Sequence, residues 1–182
     1  MNTALTPKQK ELITELDQIA SVLRLDYRSI SRYPKRSRTD GLIFVKRHFV
    51  RGEVIIQYTL VDEYLNNGLC RYFFGAKADF IKLWKTQKFK NFNYYVVESL
   101  SLMEKLRFVK STIKVPKGLA ADIDRLNTLR NGIAHAFYPE NLRSAKPTWK
   151  GKDIFSLAGI EAFVADMAQL TAFFHKMRST RP

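Results

Sequence analysis

Cysteine is almost missing from this chain. Cys70 stands alone among 182 residues, so no internal disulfide can form and no metal site can rest on paired thiolates. Its ordinary role is that of a small buried hydrophobe in a helix, and so little thiol chemistry fits a reducing, cytoplasmic compartment. Glycine and proline are also sparse, at 8 and 6 residues. Few turn formers argue against a sheet of many short strands and favour long helices. The opening MNTALTPKQKEL has no apolar stretch behind a basic start, so it is not expected to act as a secretory signal. No apolar run approaches the roughly 18–20 residues that cross a bilayer, so no membrane partner is expected. Internal repeats and low-complexity tracts are lacking. No dense run of His, Cys, Asp and Glu has metal-ligand spacing, and neither a metal nor another cofactor is expected.

Acids are the other shortage. Asp and Glu number 17 against 31 Lys and Arg, leaving a net charge of +14. A surplus of that size points to a polyanionic partner, nucleic acid first and an anionic membrane surface second. Its bland alternative is a solubilising surface. Apolar residues make up 46% of the chain, with 13 Phe and 8 Tyr, enough for a true core.

Helical spacing of apolar residues recurs along the chain. Thr6-Pro7 opens a first helix, with Thr6 as cap and proline in the first turn. A basic connector follows from about Arg28 to Arg51, broken by Pro34 and by Asp40-Gly41. Its second half, LIFVKRHFV, reads as either a short strand or a helical turn. A second helix is expected over about 53–74, on a stripe of Val54, Tyr58, Val61, Leu65, Leu69 and Tyr72. Asn66-Asn67-Gly68 predicts a kink in its middle. A short helix near 79–86 precedes a long one over about 91–111, which turns Val96, Leu100, Met103 and Leu106 inward. Lys77, Lys82, Lys85, Lys88 and Lys90 form a second basic patch in this region. A fourth long helix runs from about Leu119 to His135 or Phe137. A polar loop over 140–153 and a last helix over about 157–177 complete the chain. The expectation is an all-α, up-and-down bundle of four to five long helices over residues 42–182, preceded by an N-terminal helix and basic arm over 1–41.

The fourth helix carries the chemistry. At roughly 100° per residue, Leu119, Leu126, Leu129, Ile133 and Phe137 share one side. Asp124, Asn131 and His135 share the opposite side, with Asn127 and Thr128 at its edges and Arg130 beside them. Asn131 and His135 are four residues apart and therefore neighbours on one face. A guanidinium binds two phosphate oxygens at once and keeps its proton. An imidazole gives or takes a proton near neutral pH, and an amide can orient a ribose or phosphate oxygen. The same residues have a plainer reading, since an Arg and a His near a helix end are common and a cation there complements the helix dipole.

The string Leu129-Arg130-Asn131-Gly132-Ile133-Ala134-His135 resembles the signature of the HEPN superfamily. That signature is an Arg, usually followed by a polar residue, and a His after four to six intervening positions. Four residues separate Arg130 from His135 here, and the resemblance covers about residues 42–178. It implies a metal-independent endoribonuclease, often the toxin or effector of a prokaryotic defence system. It implies a homodimer in which two motifs face each other, and a protein antitoxin as a further partner. His135 would act as general base or acid, Arg130 would hold the scissile phosphate, and Asn131 would position one of them, giving a 2′,3′-cyclic phosphate product. Some members of the family keep the fold without cleaving, as scaffolds or nucleotide-binding modules.

Other residues have a supporting reading. Asp124 and Asn127 share the polar face and are candidates to orient the motif. Arg32, Lys35, Arg36 and Arg38 could track RNA phosphates, and Tyr138 could stack on a base. Their alternatives are a solvated linker and a core cap. Trp149 has the same two readings as Tyr138, His48 and His175 read as packing or dipole partners, and Asp62-Glu63 could orient Arg130 across the bundle.

Overall fold

The computed structural model describes residues 6–23, 25–32, 34–75, 79–134 and 147–179. The chain is all-α: 82% of the described residues are helical, and the strands, β1 (Thr148–Trp149) and β2 (Lys152–Asp153), have two residues each. The helices are α1 (Pro7–Val22), α2 (Arg38–Phe74), α3 (Phe80–Leu83), α4 (Gln87–Phe92), α5 (Leu102–Thr112), α6 (Lys117–Ala134) and α7 (Leu157–Ser179). The fold divides into two compact units, Met1–Gly52 and Glu53–Pro182.

In the first unit, α1 begins with a capping box. Thr6 Oγ1 accepts from the Gln9 backbone N–H while the Gln9 side chain accepts from the Thr6 N–H, with Pro7 in the first turn. Two 3-10 turns follow, Tyr27–Arg32 and Lys35–Ser37. The expected break at Asp40-Gly41 does not occur. Helix α2 starts at Arg38 and takes in LIFVKRHFV, which is therefore helical. A glycine in a helix costs only about 1 kcal/mol relative to alanine, too little to end a helix that goes on to bury Val45 and Val50.

The second unit holds Glu53–Phe74 of α2 and everything after it. The predicted stripe is correct at Val54, Val61, Leu65 and Leu69, all buried, whereas Tyr72 lies exposed. No kink forms at Asn66-Asn67-Gly68. The Asn67 amide donates to the Glu63 carbonyl, and Asn66 donates to Asp62 and Glu63, so both side chains bond back along the helix. Gly68 serves packing: a Cβ there would meet Val109 of α5 at 3.2 Å. The long helix expected over 91–111 is two pieces. Helix α4 runs into a π-helical turn, Asn93–Val97, and α5 restarts from a second capping box between Ser101 and Glu104.

Buried Leu106 and Val109 of α5, Ile123, Leu126, Leu129 and Ile133 of α6, and Phe163, Met167 and Leu170 of α7 make up the core. The β1–β2 hairpin packs on α6 and α7. Its two turn residues, Lys150 and Gly151, both have positive φ, the turn whose twist matches a tight hairpin. Gly159 lets α7 start against the hairpin, because a Cβ there would overlap the Asp153 carbonyl. By length and composition alone, Leu157–Lys176 of α7 is apolar enough to cross a membrane, contrary to the expectation that no apolar run approaches that length. One stripe of it, from Phe163 to Phe174, is buried against protein.

Candidate functional site around Arg130

Helix α6 follows Pro116 and keeps a regular face. Asp122, Ile123, Leu126, Leu129 and Ile133 are buried, at the three- and four-residue spacing that one helix face requires. Asp124, Thr128 and Asn131 are exposed on the other side, and Asn127 and Arg130 lie half-buried at the borders. The polar and apolar faces thus fall where the helical period puts them.

Arg130 is held from two directions. Its guanidinium carbon lies 5.0 Å from the centre of the Tyr58 ring of α2, within range of a cation–π contact. Its Nη1 donates to Asn131 Oδ1 at 3.1 Å. Two polar residues of the motif are therefore in direct contact. Among the described residues, no other acceptor meets this guanidinium, which leaves N–H groups for an anion. Burial pushes the Tyr58 hydroxyl pKa up, the Arg130 charge pulls it down, and the Asp62 charge raises it again; the net direction is up. Tyr58 consequently stays neutral at physiological pH and offers its ring face to the guanidinium.

Asp62 does not serve Arg130. Its carboxylate accepts from Lys105 Nζ at 2.8 and 2.9 Å, and Lys105 is buried. The described hydrogen bond of Asp124 is made by its backbone carbonyl, which accepts from the Thr128 hydroxyl at 3.1 Å. Neither Asp124 nor Asn127 is hydrogen-bonded to Arg130 or Asn131. His135 and Tyr138 lie outside the described residues.

The basic arm belongs to the first unit. Arg32, Lys35 and Arg36 are exposed on the two 3-10 turns. Arg38 is half-buried and donates to the Ser31 carbonyl at 2.8 Å, so it closes the turn as well as carrying charge. His48 contacts the Phe44 carbonyl and ring, and His175 pairs with the Tyr64 hydroxyl at 3.1 Å. Both histidines are used in packing contacts.

An ionic network built on the buried Asp122 lies two turns before the motif. Asp122 accepts from Arg125 at 2.7 Å and from Lys150 at 3.2 Å. Lys150 also pairs with Asp166 at 2.8 Å, and Asp166 accepts from the fully buried Trp149 indole at 2.7 Å. Desolvation would raise the Asp166 pKa, but the Lys150 and Trp149 hydrogen bonds and the nearby Lys150 and Arg125 charges outweigh it and hold it low. The network pins the hairpin to α6 and α7. Sequence reasoning missed it, although Asp122 carried a signal: a carboxylate four residues before Leu126, on the apolar face, needs a cation. Tyr58 was assigned to the apolar stripe, and nothing local marks it as the partner of Arg130.

Among the described residues, no group of three or more His, Cys, Asp or Glu side chains is placed to hold a metal. No family model matches this chain, and neither a curated protein nor a solved structure does.

Proposed function

We propose that the chain is a metal-independent endoribonuclease of the HEPN type, acting as a toxin or defence effector on RNA at a site composed from two copies. One observation carries this reading: Arg130, oriented by Tyr58 and Asn131, sits with free donor edges among the described residues of α6, and His135 is five residues further along the sequence. In the reaction, one His135 imidazole removes the ribose 2′-hydroxyl proton. The 2′-oxygen attacks phosphorus, and the bond to the 5′-oxygen breaks. Arg130 binds the non-bridging oxygens as charge builds on them. A second imidazole, from the other copy, protonates the departing 5′-oxygen. The products are a 2′,3′-cyclic phosphate and a 5′-hydroxyl. Base and acid stand on opposite sides of phosphorus, which is the physical case for two facing motifs. An antitoxin that covers the α6 polar face is the protein partner this reading implies.

The test is RNA cleavage in EDTA by the full chain beside His135→Ala and Arg130→Lys. Cleavage that survives EDTA and is lost in both variants supports the proposal. Tyr58→Leu should reduce cleavage roughly 2- to 30-fold, the worth of one cation–π contact, and Tyr58→Phe should leave it near normal. Cleavage untouched by His135→Ala, or a strict monomer by light scattering at micromolar concentration, contradicts the shared site. The +14 charge favours a second reading, RNA binding without catalysis, and binding with no cleavage in any condition selects it.

A further inference from the structure

From Phe80 to Val97 the chain carries four lysines, six aromatic residues and no acid. The structure sorts these residues into two layers. Phe89, Val97 and Cys70 are buried together, and Phe74, Phe80, Leu83 and Phe92 pack against them. Tyr94 and Tyr95, in the π turn that ends at buried Val97, stand 55% and 76% exposed, and Trp84, its ring 5.1 Å from that of Phe89, is exposed at the α3–α4 junction. The π turn creates this arrangement. The Glu98 N–H reaches back five residues to the Asn93 carbonyl, at 2.9 Å, so one extra residue enters the turn. Val97 stays in the core while two adjacent tyrosines face solvent. Such turns cost backbone regularity and recur at functional sites. Lys85 and Lys88 are exposed alongside.

We infer that this face is a binding surface for single-stranded nucleic acid, in which Tyr94, Tyr95 and Trp84 stack on bases while Lys85 and Lys88 meet phosphates. Exposed rings interleaved with cations, next to a packed apolar cluster, are what an unpaired polynucleotide requires. A second copy of the chain is disfavoured there, because joining two such faces would oppose lysine to lysine, and the flanking acids, Asp79 and Glu98, already pair with Lys82 and Asn93 of the same copy. The face uses none of the residues of the Arg130 site, so binding there stands or falls separately from cleavage.

The test uses the full chain carrying His135→Ala, so that RNA survives, and a fluorescent oligouridine probe read by anisotropy. Tyr95→Ala is expected to weaken binding roughly 5- to 100-fold, the usual effect of losing one stacked base, and Tyr95→Phe to preserve it. Lys85→Gln with Lys88→Gln should flatten the dependence of log Kd on log salt by about 0.7 per lysine. Tyr95 is too exposed for its loss to unfold the chain, and circular dichroism checks that. A duplex probe bound as tightly as the single strand overturns the inference. So does affinity unchanged by both sets of variants, or capture by phosphatidylserine vesicles that the same variants abolish while oligouridine binding stays intact.

Discussion

The Asp62–Lys105 pair gives the sharpest test of how the second unit is built. Lys105 Nζ lies 2.8 and 2.9 Å from the two Asp62 oxygens. The lysine side chain is only 6% exposed, the aspartate 27%. That asymmetry sets the magnitudes. Asp62→Ala strands an ammonium where water cannot reach it, at a cost of about 3–5 kcal/mol. Lys105→Met strands a carboxylate that water can still solvate, at about 1–2 kcal/mol. Asp62→Leu with Lys105→Met removes both charges and should return stability to near that of the parent, because an apolar pair in a buried position avoids the desolvation penalty. Urea unfolding followed by Trp149 fluorescence in a Trp84→Phe background measures all three, since Trp149 is buried in the same unit. Melting temperature should fall by roughly 6–20 °C for Asp62→Ala and roughly 2–8 °C for Lys105→Met. If Asp62→Ala costs no more than Lys105→Met, or if the double variant loses the sum of the single losses, the pair is not a coupled buried ion pair and the reasoning fails.

Two further outcomes are expected. Burial first, and then the Glu63 charge, pushes the Cys70 thiol up to about 11, so at pH 8 iodoacetamide should modify the native chain on the order of a hundredfold more slowly than the urea-unfolded chain, by mass spectrometry. The hairpin network should lose stability at both ends of the pH scale. Asp166 has a lowered carboxyl pKa, so its contribution is full above the ordinary aspartate value near 4 and is lost as pH falls through the depressed one. Lys150 is raised, chiefly by its Asp166 hydrogen bond, so its contribution is full below about 10.4 and is lost as pH rises through the elevated value. Trp149 fluorescence against urea should therefore show a plateau between these limits, and Lys150→Met should flatten both flanks.

Much of this architecture could be read from residue order. The Thr6 cap, the buried face of α6 and the inward side of α7 all follow from interactions within four residues, and such interactions are visible to periodicity and capping rules. The border position of Arg130 followed from the same wheel. Breaks were harder. Asp40-Gly41 looked like an end and is not one, while the region around Ser99 and Ser101 looked continuous and is broken. In the first case tertiary burial outweighed a small local cost. In the second, Ser101 and Glu104 formed a capping box within an otherwise helical pattern.

Partners across the fold were beyond local reading. Asp62 meets Lys105 over 43 residues of sequence, and Lys150 meets Asp122 over 28. Tyr58 finds Arg130 only because two helices bring their faces together. Residue order by itself settled that the chain is helical, strongly basic, and carries Asn131 on the polar face of one helix with Arg130 at its edge. Tertiary structure alone decided which aromatic ring orients the guanidinium, which acid neutralises the buried lysine, and which tyrosines stay in water. The reason is that a helix face is set by bonds a few residues long, whereas a contact between helices depends on how whole faces pack, and no short stretch of sequence contains both sides.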